Sequence, residues 1–157
     1  MKEYSKVIFE TDEKDYFTLW YTDINSGFVK ETDHIVCFKE EEVFDAYCKA
    51  KGIVYKETMI FNLPDLLSFA IGRTDEADPT LMLNFWNICS DLSFTLGVEF
   101  TGDDDNETIS ELYDTLFFFQ EAEDDGELKE LTPDDIADLR EIVTEGCKLI
   151  VANLNAI

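Results

Sequence analysis

Twelve carboxylates and one lysine lie between Phe100 and Glu130, in the stretch FTGDDDNETISELYDTLFFFQEAEDDGELKE. Acids this dense can hold a metal, work as a general acid–base pair, or attract a cationic partner. A calcium loop of the EF-hand kind needs oxygen ligands at positions 1, 3, 5 and 12 and a glycine at 6 to turn the backbone. Counting from Asp103 puts Asp105 and Glu107 in register, but Thr108 takes the glycine position and Asp114 the last one. Counting from Asp124 fails sooner, because Gly126 falls at position 3. No metal is expected here.

Paired catalytic carboxylates need a cleft in which apolar surroundings raise one pKa. Asp91, inside the apolar run TLMLNFWNICSDLSFTLG, is the one acid with such a setting. His34, the single histidine, stands beside Asp33 at the start of an apolar run and reads as structural. No GxSxG, HExxH, P-loop or GxGxxG occurs, so no enzyme, catalytic residue or cofactor is expected. Cys37, Cys48, Cys89 and Cys147 form no CxxC pair and sit in apolar stretches. They read as reduced, buried thiols of a cytoplasmic protein, and their scatter supplies no zinc site.

The distribution of charge is more informative. Net charge is −24. Residues 1–78 hold 17 acids and 9 bases, net −8, and residues 79–157 hold 19 acids and 3 bases, net −16. Between Arg73 and Lys129 there is no basic residue, so phosphate contacts to nucleic acid have no donors. An anionic membrane surface would be repelled too, and no apolar run approaches the length of a span. So one-sided a field opposes compaction by self-repulsion, and fast capture of a positively charged macromolecule would offset that. The acids expected to make the contact are Asp103, Asp104, Asp105, Glu107, Glu121, Glu123, Asp124, Asp125 and Glu127, with Tyr113 or Phe119 as aromatic anchors.

These residues need a scaffold. A chain of 157 residues with 45% apolar content suits one domain, 1–157. KVIFET, YFTLWYT, HIVCF and IVYKETMIF are rich in β-branched and aromatic residues and read as strands, with a turn at DINSG and GFVKE returning as a hairpin partner. KEEEVFDAYCKAKG reads as a helix whose inner face is Val43, Phe44, Tyr47 and Cys48, ended by Gly52. From Leu63 onward the pattern is helical. Pro64 and Gly72 bracket one helix, and Asp78, Pro79 and Gly97 bracket a central one with a polar stripe of Asn84, Asn87, Asp91 and Thr95. Asp105 or Asn106 caps the next, which turns Ile109, Leu112, Tyr113, Leu116 and Phe117 inward. Thr132, Pro133 and Asp135 start the last, whose stripe runs Ile136, Leu139, Val143, Cys147, Ile150, Val151, Leu154. The expected class is α+β: a small, largely antiparallel N-terminal sheet with one helix, followed by a helical part packed on it.

The segments LNFWNICSDLSFTLGV, ISELYDTLFFFQ and LTPDDIADLREIVTEGCKLIVANL resemble bacterial immunity proteins of contact-dependent growth inhibition and other polymorphic toxin systems. The resemblance covers roughly the C-terminal half. It implies a small cytoplasmic protein that binds one cognate toxin domain and blocks it, and it assigns no binding residues. With the charge, it points to a basic toxin domain, a nuclease in the first instance. Two other readings remain: an acidic DNA mimic that inhibits a nucleic-acid-binding host protein, and an enzyme centred on Asp91, which requires a deep pocket and a raised pKa there. Oligomeric state, the toxin's activity and the mode of blocking are left open by the sequence.

Overall fold

In the computed structural model, residues 1–75, 78–122 and 131–155 are described, the side chains of 119–122 excepted. The strands are β1 (Glu3–Glu10), β2 (Asp15–Thr22), β3 (Ser26–Phe28), β4 (Lys30–Glu31), β5 (His34–Ile35), β6 (Cys37–Phe38) and β7 (Tyr55–Asn62). The helices are α1 (Glu41–Ala50), α2 (Leu63–Ala70), α3 (Pro79–Leu96), α4 (Glu107–Ala122) and α5 (Pro133–Asn153), with a 3-10 turn at Thr101–Asp103. The architecture is α+β, with strands early and helices late.

The sheet runs β3-β2-β1-β7, and β6 adds to β2 beyond β3's short reach. β1 and β2 form an antiparallel hairpin from Glu3↔Thr22 to Glu10↔Asp15. β7 pairs with β1 in parallel, Val7 opposite Met59 and Phe9 opposite Phe61, so the chain crosses over through α1 to reach that edge. HIVCF is not one strand. His34 and Ile35 pair with Glu31 and Lys30, and Cys37 and Phe38 pair with Thr18 and Phe17.

Both faces of the sheet are covered, which is why Ser5 through Phe9 are buried in an unbroken run. On one face Ile8, Phe17 and Leu19 meet Val36, Phe38 and, from α1, Phe44 and Cys48. Lys6 points the same way with only 5% of its surface exposed. Its Nζ donates to Glu41 Oε2 at 2.9 Å and lies 5.3–5.4 Å from the ring centres of Phe17, Phe44 and Tyr55. Burial alone would lower this lysine's pKa, but the Glu41 bond and the nearby Tyr55 and Asp45 raise it on balance.

On the other face Val7, Phe9, Phe28 and Phe61 meet the helical layer. A ladder of rings, Phe28–Phe9 at 6.4 Å, Phe9–Phe61 at 6.0 Å and Phe61–Phe85 at 5.7 Å, carries the core from sheet into α3. Burying side chains such as Phe85, Ile88 and Leu92 contributes about 1.5–3 kcal/mol each before entropy is subtracted. The caps are those the sequence indicates. Asp78 Oδ1 accepts from the Thr80 and Leu81 amides, Gly97 closes α3 at φ +68°, and Thr132 and Asp135 form a reciprocal capping box. α5 crosses α3 closely at Gly146, where a Cβ would come within 2.6 Å of Cys89 Sγ.

Three side chains assigned to inner faces lie outside. Val43, Phe117 and Val151 are exposed, each at the margin of its helix's apolar stripe, while Phe44, Leu116 and Ile150 beside them are buried. The four cysteines are buried and unbridged. Burial pushes Cys37 and Cys147 up to about 12 and Cys89 well above the usual thiol range, so these thiols are protonated and inert. Among the described residues, no helix is long and apolar enough to cross a membrane.

Candidate interaction surface

After Gly97 ends α3, the chain must reverse and start α4 within ten residues, and it does so over the 3-10 turn. Phe100 is buried as an anchor. Trp86 Nε1 donates to Gly102 O at 3.1 Å, Ser93 Oγ to Asp103 Oδ2 at 2.9 Å, and the Thr101 amide to Glu145 Oε1 at 2.9 Å. The turn is thereby tied to both α3 and α5. Asn106, one of two candidates for the cap, accepts from the Ile109 amide at 2.9 Å and begins α4.

Glu107, Glu111 and Asp114 then recur at helical spacing on the exposed side of α4, in line with Phe118. Beside them runs an open groove of about 410 Å³. Asp103, Asp104, Asp105 and Asp114 line it, with Ile109, Ser110, Tyr113 and Gly102. Tyr113 is half-buried. Its hydroxyl donates to Asn87 Oδ1 at 2.8 Å and its ring stands edge-on to Trp86 at 5.3 Å. Among the described residues, none of these carboxylates is in an ion pair, and no three His, Cys, Asp or Glu side chains converge as a metal would require.

Of the acids singled out from the sequence, Asp103, Asp104, Asp105 and Glu107 are brought together here. Asp103 also has a structural duty toward Ser93. Glu121 lies in the last turn of α4, its side chain outside the described residues, as is that of Phe119; Glu123, Asp124, Asp125 and Glu127 lie outside them altogether. Two acids were missed. Glu111 and Asp114 join the surface because they follow Glu107 by four and seven residues, a spacing visible in the sequence.

A second feature lies where α3 meets the sheet. Trp20 Nε1 donates to Asp91 Oδ2 at 2.7 Å, across 71 positions of sequence. Thr95, one turn on, accepts from the Phe28 amide at 2.9 Å and donates to Asp91 O. β3 approaches so closely that a Cβ on Gly27 would come within 2.8 Å of Thr95 Oγ1. The polar stripe of α3 is therefore largely turned to protein. Burial raises the Asp91 pKa, the Trp20 bond opposes that, and the charge of Asp103 adds to it. Asp91, Trp20, Ser26, Met59, Asn84, Asn87 and Ile88 line a cleft of about 280 Å³.

The fold and the two surfaces define an α+β domain with helices over one sheet face and a crossover helix over the other. No family model matches the chain, and no curated protein matches it in sequence. Among solved structures it is similar to the SatS C-terminal domain, determined in complex with bromine, with a TM-score of 0.57 and 13% identity. The match covers 98% of this chain and 94% of that one, and at this identity it is a likeness of fold.

Proposed function

We propose that the protein is a cytoplasmic immunity protein of a bacterial contact-dependent inhibition or polymorphic toxin system. It captures a basic toxin domain, a nuclease by the sign of its charge, on the acidic surface of the 3-10 turn and α4. The observation that carries this reading is the groove of Asp103, Asp104, Asp105 and Asp114. Asp103 is held by a turn tied to α3 and α5, Asp104 and Asp105 follow it directly, Asp114 stands on α4, and among the described residues none of the four has a counter-ion. A rigid anionic surface loses little entropy on binding and steers a cationic partner into encounter.

The Asp91 cleft meets the two requirements of an enzyme only halfway. Its carboxylate has a raised pKa, but the cleft is half-open rather than deep, and among the described residues Asp91 is the one titratable side chain that lines it. That supports a non-catalytic role. The reading requires a toxin domain encoded beside this gene, and the test uses that domain. Charge reversal of Asp104, Asp105, Glu107 and Asp114 together should slow its association roughly tenfold or more at low salt and flatten the salt dependence. Unchanged association kinetics would rule the surface out. Displacement of bound DNA from several unrelated proteins would favour the DNA-mimic reading instead.

A further inference from the structure

The Asp91 cleft combines features that a surface acid lacks. Its carboxylate is half-buried and fixed on one side by the 2.7 Å bond from Trp20 Nε1. Oδ1 has no hydrogen-bond partner among the described residues, yet it is not a buried orphan. Among the described residues no cation pairs with it, and the charge of Asp103 acting on it is of the same sign. Around it are the amides of Asn84 and Asn87, the second oriented by Tyr113. The walls are apolar: the Trp20 indole, Met59 and Ile88. A cleft with one apolar wall and a carboxylate that has one oxygen free matches a side chain with an aliphatic stem and a cationic head.

We propose that this cleft binds the guanidinium or ammonium head of an arginine or lysine side chain presented by a protein partner. The assignment rests on the reading of the protein as a captor of a basic partner and names the anchoring site. Asp91 takes the charge, the asparagine amides offer acceptors, and Trp20 and Met59 cover the stem. A neutral residue at position 91 would hold Trp20 as well and avoid burying a charge, so ligand binding gives the charge a purpose that stability does not.

The two tryptophans make the test internal. Trp20 lines the cleft, whereas the Trp86 indole donates to Gly102 O and does not. Indole N–H resonances of ¹⁵N-labelled protein are followed at low salt while N-acetyl-arginine amide, its uncharged isostere N-acetyl-citrulline amide, or spermidine is added. The expected result is a saturable shift of the Trp20 signal with the arginine compound, little with citrulline, and a steady Trp86 signal. Asp91→Asn keeps an acceptor for Trp20 and should weaken arginine binding at least about tenfold. Asn84→Lys, at the exposed rim, should occupy the cleft with its own ammonium and weaken binding similarly, without touching the Trp20 bond. Equal shifts with citrulline, unchanged affinity in both variants, or response to spermidine alone would each overturn the assignment. Because no toxin is involved, this outcome is independent of the charge-reversal series on the acidic groove, which tests the captor reading itself.

Discussion

In residues 1–78, several acids fasten the structure by pairing with lysines. Glu3 meets Lys56 at 2.6 Å, Glu31 meets Lys51 at 3.7 Å, and Glu41 meets the buried Lys6 at 2.9 Å. In residues 79–157 the described residues show one ion pair, Arg140 with Asp75 at 2.6 Å, and its acid belongs to the first part. Arg140 is itself committed to closing α5 onto the end of α2 and the loop after it, through Phe69 O and Thr74 O. The first region uses charge to fasten α1 and the sheet edges. In the second, the described carboxylates of the acidic groove have no cation beside them and lie close to one another, where they oppose folding. Groove carboxylates without counter-ions in one region, beside acids paired with lysines in the other, are what make the second a candidate for recognition.

The largest effects should ignore this contrast, since both regions depend on apolar cores. Phe85→Ala and Phe44→Ala should each cost about 3–5 kcal/mol in denaturant unfolding. A much smaller loss for Phe44 would mean that α1 is a loosely held cover. Next comes Lys6→Ala, expected to cost about 1–3 kcal/mol because it removes a buried stem and a charge-assisted bond together. The Lys6 pKa is raised in the fold, so its contribution is complete below the unfolded lysine value and is lost as pH rises through the folded one. The extra stability of wild type over Lys6→Met should therefore shrink in the alkaline range.

Asp91 has the opposite sign. A carboxyl whose pKa is raised by folding weakens the fold at every pH above that value, and the penalty fades as pH falls toward the unfolded carboxyl value. Asp91→Asn should thus match or exceed wild type in melting temperature at pH 7, and the gap should close on acidification. A clear loss at pH 7 would make the carboxylate structural. The smallest effects sharpen the comparison most. Neutralising Asp104, Asp105, Glu107 and Asp114 to their amides should raise the melting temperature at low salt and reduce its gain on adding salt. The same treatment of Glu3, Glu31 and Glu41 should lower it. If both sets moved it alike, the two regions would not differ in their use of charge.

The helical termini were legible in the sequence because their signals are local. Asp78–Pro79, Thr132–Pro133–Asp135 and Gly97 each act within one turn. What failed was non-local. Nothing in IVYKETMIF says that it lies parallel to β1, because a strand's partner is chosen by the layers that cover it. HIVCF is apolar throughout, and only the competing claims of β2 and the Lys30–Glu31 segment divide it. Val43, Phe117 and Val151 sit at stripe margins, where period alone does not fix burial. The acidic surface was half visible. The run Asp103–Asp105 was plain, whereas the groove depends on the turn's ties to Trp86, Ser93 and Glu145. The Asp91–Trp20 contact, between residues 71 apart, could not have been read from spacing.

The crossover that brings β7 beside β1 also orders the events of synthesis. Every strand of the main sheet and the α1 cover lie within the first 62 residues, so one side of the sheet can close once that segment has cleared the ribosome. The opposite side, with Phe9, Phe28 and Phe61, is covered in part by α2 and stays incomplete until α3 arrives. A chain that has emerged only as far as the acidic linker before Pro79 holds out a half-dressed sheet. That interval is when the chain is most exposed to aggregation, and its own mounting negative charge is then a protection against neighbours like itself.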